Sequence, residues 1–155
     1  MFSLCGVSFQ NALGALAPPE VAVYLGWNGQ IRVNAAKCGM LSVAVSDPTP
    51  AAIPDWLVVG LNVPLWMEGD APGNPLDATS LFEEGCTEVD PVRLLASWAP
   101  HCLVWTNTWE GEGMQPLHRE WRGLAYNMGN DITYKGMQAN FMGFDEDFGL
   151  LLKTS

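Results

Sequence analysis

The sequence predicts an α+β protein, with a mixed or antiparallel sheet and packing helices, on three observations. Between residues 21 and 63, β-rich runs alternate with turn residues. From Asp90 onward, apolar residues recur at three- and four-residue steps, as an amphipathic helix requires. After Gly123 the chain returns to short strands and turns with no helical period.

Along the chain, Val7, Leu13 and Leu16 suggest a short amphipathic helix over residues 7 to 16, which Pro18-Pro19 would end. VAVYLGW (21 to 27) is a strand, and Asn28-Gly29 is a tight hairpin turn, since both residues tolerate positive φ. QIRVNA (30 to 35) alternates polar and apolar residues as the second arm of that hairpin. Ala35-Ala36 makes the next turn, and KCGMLSVAVS (37 to 46) is a third strand. WLVVGLNV (56 to 63) is continuously apolar and is expected to be buried on both faces if it is central in the sheet.

Residues 64 to 89 are rich in Pro, Gly and Asp and read as a long loop, with one short helix around Ser80 to Glu84. Asp90-Pro91 is a helix start, an N-cap carboxylate followed by proline at the first helical position. Leu94, Leu95, Trp98, Cys102, Trp105 and Trp109 then form a stripe expected to pack in the core. Pro100 is expected to kink or break that helix, and Pro116 opens a second helix carrying Leu117 and Trp121. The 33 residues that follow, 123–155, suit a small SH3-like β-barrel docked on the main domain. The expected division is residues 1–122 and 123–155.

Composition removes several function classes. Hydrophobic content is 48% and charged content 15%, which describes a folded chain. Seven Lys and Arg residues against seventeen Asp and Glu leave a net charge of −10 and no basic stripe, so neither nucleic acid nor an anionic membrane surface is an expected partner. Cys5, Cys38, Cys86 and Cys102 are scattered with no CxxC pair, so they are read as buried thiols in a reducing compartment, and no metal site is expected. The N-terminal stretch lacks a basic region before its apolar run, and the expected location is the cytoplasm. The FDEDFG acids are read as a hairpin turn, and His101 and His118 lack a partner constellation.

Four segments in order carry a family resemblance. GWNGQIRVNAAKCG (26 to 39) is similar to a motif of Trp-Pro-Asn-Asp, a strand, a turn and Lys-x-Gly/Ala-Gly. WLVVGLNV is similar to an apolar strand ending in Gly-Ile/Leu-Asn. The long helix leading to REWRGL and the tail NFMGFDEDFGLLLKTS match the helix and the Gly-Ile-Asp-x-x-Gly-x-Leu-Leu-Leu pattern that follow. Together they resemble the biotin–protein ligase and lipoate–protein ligase superfamily from about residue 7 onward.

The resemblance implies a class II synthetase-like ligase core, here its C-terminal part, with the SH3-like domain behind it. It implies ATP-dependent activation of a biotin- or lipoate-type carboxylate to an acyl-adenylate, then transfer to a lysine of an acceptor protein domain. ATP, with magnesium, and biotin or lipoate are the implied ligands. Lys37 matches the lysine that contacts the acid carboxylate and adenylate phosphate, and Asn62 the asparagine near the nucleotide. Trp27 matches the tryptophan opening the motif, and Gly39 the close-approach glycine.

Two departures stand out: Asn28, Gly29 and Gln30 replace Pro-Asn-Asp, and no Gly/Arg-rich adenylate loop precedes the first helix. The expectation is therefore a portion of a longer protein or a relative without the ligase reaction. A non-catalytic module binding a small acid or a protein partner is the alternative, and a subunit completing another chain or a homo-oligomer is a further one.

Overall fold

The computed structural model describes residues 1–49, 52–67 and 78–154. The elements are α1 (Phe2–Gly14), β1 (Val23–Leu25), β2 (Gln30–Val33), β3 (Ala36–Val45), β4 (Leu57–Asn62), α2 (Pro91–Glu112), α3 (Gln115–Leu124), β5 (Asp131–Tyr134), β6 (Met137–Phe144) and β7 (Leu150–Lys153). Strands β1 to β4 form an antiparallel sheet in chain order, and β5 to β7 form a second one. The α+β class is therefore present, with antiparallel sheets. Among the described residues, no helix is long and apolar enough to cross a membrane.

One face of the four-stranded sheet is buried and the other is open. Leu25, Ile31 and Leu41 lie on the buried face, where Leu25 and Leu41 reach Gly6 of α1. Val7, Phe9, Ala12 and Leu13 of α1 are wholly buried in the same cluster, so α1 is the central helix of the core. It begins at Phe2, five residues earlier than the apolar spacing of residues 7 to 16 suggests, and ends before Pro18-Pro19 as expected.

A single irregularity in β3 sets which side chains face which way. Ile31 faces Gly39 and Arg32 faces Lys37, so Cys38 is an extra residue, a β-bulge. Strand side chains alternate with period two. An unbroken β3 would place Lys37 and Leu41 on the same side. The bulge resets the parity: Ala36, Cys38 and Leu41 are buried, whereas Lys37 and Met40 are exposed.

Both hairpin turns differ from the sequence expectation. The turn between β1 and β2 spans Gly26–Gly29, with Gly29 N–H donating to the Gly26 carbonyl at 3.0 Å. Only Gly29 of its residues has positive φ, at 90°. A Cβ there would enter the Phe2 ring and lie 2.6 Å from the Leu41 carbonyl oxygen, so only glycine fits. The two-residue turn is instead Asn34-Ala35, one position before the expected Ala35-Ala36. Both residues have positive φ, 48° and 73°, as a type I′ turn requires. Asn34 fits because its backbone N–H and side-chain oxygen both bond to the Ala22 backbone, at 2.8 and 2.9 Å. Ala35 has no such compensation beyond its carbonyl, which accepts from Arg32 Nη1 at 2.6 Å.

β4 is also different from the expectation. Among the described residues it pairs with β3 alone, and Leu57 and Val58 are exposed, so it is an edge strand there and not one buried on both faces. Its continuous apolar run reflects one packed face and one uncovered one. In the following loop, residues 68–77 lie outside the described residues. Ser80 to Glu84 form a single hydrogen-bonded turn instead of a helix, with Glu84 N–H on the Ser80 carbonyl at 3.2 Å. Thr79 N–H donates to the Lys37 carbonyl at 2.8 Å, which ties this segment to the bulge.

Asp90 caps α2 as expected, accepting from Arg93 N–H at 2.9 Å. The helix runs through Pro100 without a break. Its stripe packs in part: Trp98 donates to the Cys5 carbonyl at 3.0 Å and Trp105 to Asn11 Oδ1 at 2.8 Å, which aligns α2 parallel to α1. The Cys5 and Cys102 thiols meet in this interface, and the hydrogen bond between them draws Cys102 down and pushes Cys5 up. Leu95 and Trp109 remain exposed. Leu95 is about 100° around the helix from the buried Leu94, and Trp109 lies beyond the end of the shorter α1. The C-terminal sheet joins the core through Phe141 and Phe144, the latter edge-on to Trp121 of α3 at 4.1 Å between centroids.

Two predictions follow from these turns and from the bulge. Ala35→Gly removes an alanine from left-handed backbone, which costs on the order of 1 kcal/mol. It is expected to raise unfolding free energy by about 0.5–1 kcal/mol in urea titration; a loss would show that the turn does not depend on that conformation.

Burial, then the nearby Glu84 charge, pushes the Cys38 thiol up to about 12. The unfolded chain would lose this proton near 9.0 while the folded chain keeps it, so the unfolded state binds fewer protons and stability falls as pH rises from 9.0 towards 12. This group contributes no more than about 1.4 kcal/mol per pH unit. The check is to compare the pH dependence of unfolding for the wild type and Cys38→Ala: the variant should lose less stability across that range.

Candidate functional site

The open face of the four-stranded sheet carries polar and charged side chains that the core does not need. Tyr24, Arg32 and Lys37 face one another in a row across β1, β2 and β3. Gln30, Met40 and Asn62 form the parallel row across β2, β3 and β4. Gln30 and Arg32 are two residues apart on one strand, so both rows share one face. Lys37 and Asn62 thus lie on adjacent strands with their side chains on the same exposed side. The bulge at Cys38 makes this arrangement possible.

Gly39 lies between them on β3. A Cβ there would come within 2.5 Å of the Asn62 carbonyl oxygen and 3.0 Å of Val63 Cγ2. The glycine therefore permits the close approach of the end of β4, and its role is visible in the backbone alone.

Trp27 sits in the β1–β2 turn, 39% exposed, with its ring edge-on to Tyr134 of β5 at 5.5 Å and 86°. Between this hairpin and the C-terminal sheet lies a cleft of about 320 Å³. Trp27, Gln30 and Arg32 line it from the hairpin side; Tyr126, Thr133 and Tyr134 line it from the other. Tyr126 is held at the sheet by its N–H, which donates to the Leu25 carbonyl at 2.9 Å. Lys37, Gly39 and Asn62 are not among the lining residues; they occupy the sheet surface beyond Arg32. The structure thus unites Trp27 with the cleft, and groups the other three on β3 and the end of β4.

Arg32, Tyr126 and Tyr134 were not singled out from the sequence. The Arg32 guanidinium carbon stands 4.1 Å from the Tyr126 ring centroid. One signal for Arg32 was available: it shares the outward phase of QIRV with Gln30 and is the first cation in the chain. No comparable signal exists for the tyrosines, since their approach depends on how the second sheet docks. The FDEDFG acids behave as a turn, Asp145 Oδ1 accepting from the N–H groups of Asp147 and Gly149 at 3.0 and 2.6 Å. Among the described residues, no group of three or more His, Cys, Asp or Glu side chains could hold a metal ion.

The model of the Biotin/lipoate A/B protein ligase family matches residues 1–123. A biotin protein ligase-like protein of unknown function from Silicibacter sp. TM1040 is 55% identical, with a TM-score of 0.92 over 99% of this chain and 66% of that one. Biotin protein ligase from Aquifex aeolicus in complex with biotin and ATP is 16% identical, with a TM-score of 0.79 over 99% of this chain and 64% of that one. Its apo structure gives 16% and 0.83 over 99% and 68%. The Aquifex likeness is one of fold. The chain spans just under two thirds of the length of the Silicibacter protein. A search of curated proteins matched none to this chain. With its matched region covering residues 1–123 of 155, the chain belongs to the Biotin/lipoate A/B protein ligase family.

Proposed function

We propose that the open face of the β1–β4 sheet, with the adjoining aromatic cleft, is the ligand face of an adenylating ligase. The observation that carries this reading is the placement of Lys37 and Asn62 on one exposed side of adjacent strands. In the proposed reaction a carboxylate oxygen of a biotin- or lipoate-type acid attacks the α-phosphorus of ATP, and pyrophosphate leaves. The acyl-adenylate is then attacked at its carbonyl by a deprotonated lysine amine of an acceptor protein, and AMP leaves.

Lys37 would hold the acid carboxylate and the developing phosphate charge, since a fixed cation is worth most where charge accumulates in the transition state. Asn62 would orient the nucleotide, Gly39 would let its phosphates approach the backbone, and Trp27 would wall the ring system. The SH3-like character of residues 123–155, and their standing as a separate unit, belong to this proposal. So does a cytoplasmic location.

A non-catalytic binding module on the same fold is the second reading. It is favoured by Gln30, a neutral side chain in the cleft lining at the position where the family resemblance leads to an acid.

Incubation with ATP, hydroxylamine and either biotin or lipoate tests the first reading. The expected result is an acyl hydroxamate, formed about 100-fold more slowly by Lys37→Gln with its melting temperature retained. No product where a biotin protein ligase control reacts would exclude the ligase reading. Calorimetry with the same acids without ATP then decides the binding module, which heat would support and silence would remove.

A further inference from the structure

Arg32 lies within the family-matched residues, but no motif of the resemblance gives it a role, and its surroundings are those of a group waiting for a counter-charge. The side chain is half-buried in the cleft wall. Its guanidinium rests on the Tyr126 ring, Nη1 is spent on the Ala35 carbonyl, and the buried Nε–H has no partner among the described residues. A ring and a carbonyl position the cation without neutralising it. A buried N–H left unbonded costs about 1–3 kcal/mol.

Directly across the ladder is a second cation, Lys37. Facing residues of an antiparallel pair have Cβ atoms about 4.5–5.5 Å apart, and like charges there are destabilising. The chain has seven Lys and Arg residues and seventeen Asp and Glu. With acids so abundant, two of seven cations facing each other on an open face is a poor arrangement for the free protein. An anion held between them reverses the sign of that term. The rest of the cleft mixes aromatic and aliphatic side chains with the neutral polar Asn28, Gln30, Asn127 and Thr133, and its Trp27 and Tyr134 rings meet edge to face.

We infer that Arg32 and Lys37 form a single anion seat for a carboxylate or phosphate borne on a planar ring system that lies against Trp27 and Tyr134. This rests on the open face being the ligand face, and it specifies the ligand class. It also assigns the charge recognition to β2 as well as β3. Arg32 contributes a guanidinium fixed over Tyr126, and Lys37 a mobile point charge.

The test is calorimetry on the full chain with four probes: AMP and adenosine, 2-naphthoate and 2-naphthylmethanol. At least one anionic probe is expected to bind ten-fold or more tightly than its neutral counterpart. Arg32→Gln and Lys37→Gln should each abolish that advantage, and Arg32→Lys should retain part of it. AMP alone would assign the seat to phosphate, and 2-naphthoate alone to carboxylate.

Thermal unfolding adds a readout that a structural role would not reproduce: Lys37→Gln should leave the free chain at least as stable as the wild type. Should Arg32→Gln fail to fold, Lys37→Gln decides alone. Equal affinity for charged and neutral probes, or an advantage that survives both substitutions, overturns the seat. Hydroxamate formation unaffected by Arg32→Gln would leave the ligase reading standing without the seat. Arg32-dependent anion binding with no hydroxamate would leave the seat without the ligase.

Discussion

The one-residue bulge at Cys38 is the constraint on which the rest of the structure depends. β3 is flanked by β2 on one side and β4 on the other, so its phase is imposed on both neighbours. The strand must bury Ala36, Cys38 and Leu41 while exposing Lys37 and Met40, and period two cannot satisfy that set without one extra residue. Placing the extra residue at Cys38 buries a small apolar thiol and turns Lys37 outward opposite Arg32. It also delivers Gly39 to the point where β4 comes closest. Core packing and the composition of the open face are therefore two outcomes of one backbone feature.

Much of the architecture is legible in the sequence because local chemistry agrees with the tertiary result. Asp90 and Pro91 start α2 for reasons contained in three residues, and Pro116 does the same for α3. The strands β1 to β3 follow from β-rich runs between turn residues. What is not legible depends on neighbours distant in sequence. The wider Gly26–Gly29 turn is fixed by Phe2 of α1 pressing on Gly29, so the Asn-Gly preference does not decide it. Asn34 accepts the left-handed backbone because Ala22 bonds it twice. Leu57 and Val58 have a buried-strand composition, yet their exposure is set by which strands pair with β4.

The candidate site shows the same division. Lys37, Gly39, Asn62 and Trp27 could be named because a family pattern marks their positions. Gly39 can also be justified from the backbone, since its missing side chain makes room for Asn62. Arg32 was passed over because alternation in QIRV describes only an outward-facing residue. Its significance appears when Tyr126 lies beneath it and Lys37 beside it. A strand residue acquires chemistry from the elements around it, and the second sheet supplies half of that cleft. Family membership and fold identify the scaffold; the cations and aromatic rings of the open face determine what it can hold.

The register around Cys38 can be measured directly by NOE spectroscopy of the full chain in solution. Cross-strand backbone NOEs should connect Arg32 with Lys37 and Ile31 with Gly39, and Met40 with Asn62 on the other side. A regular ladder in which Arg32 faces Cys38 would contradict the account, since Lys37 would then turn away from Arg32 and the open face would lose its paired cations.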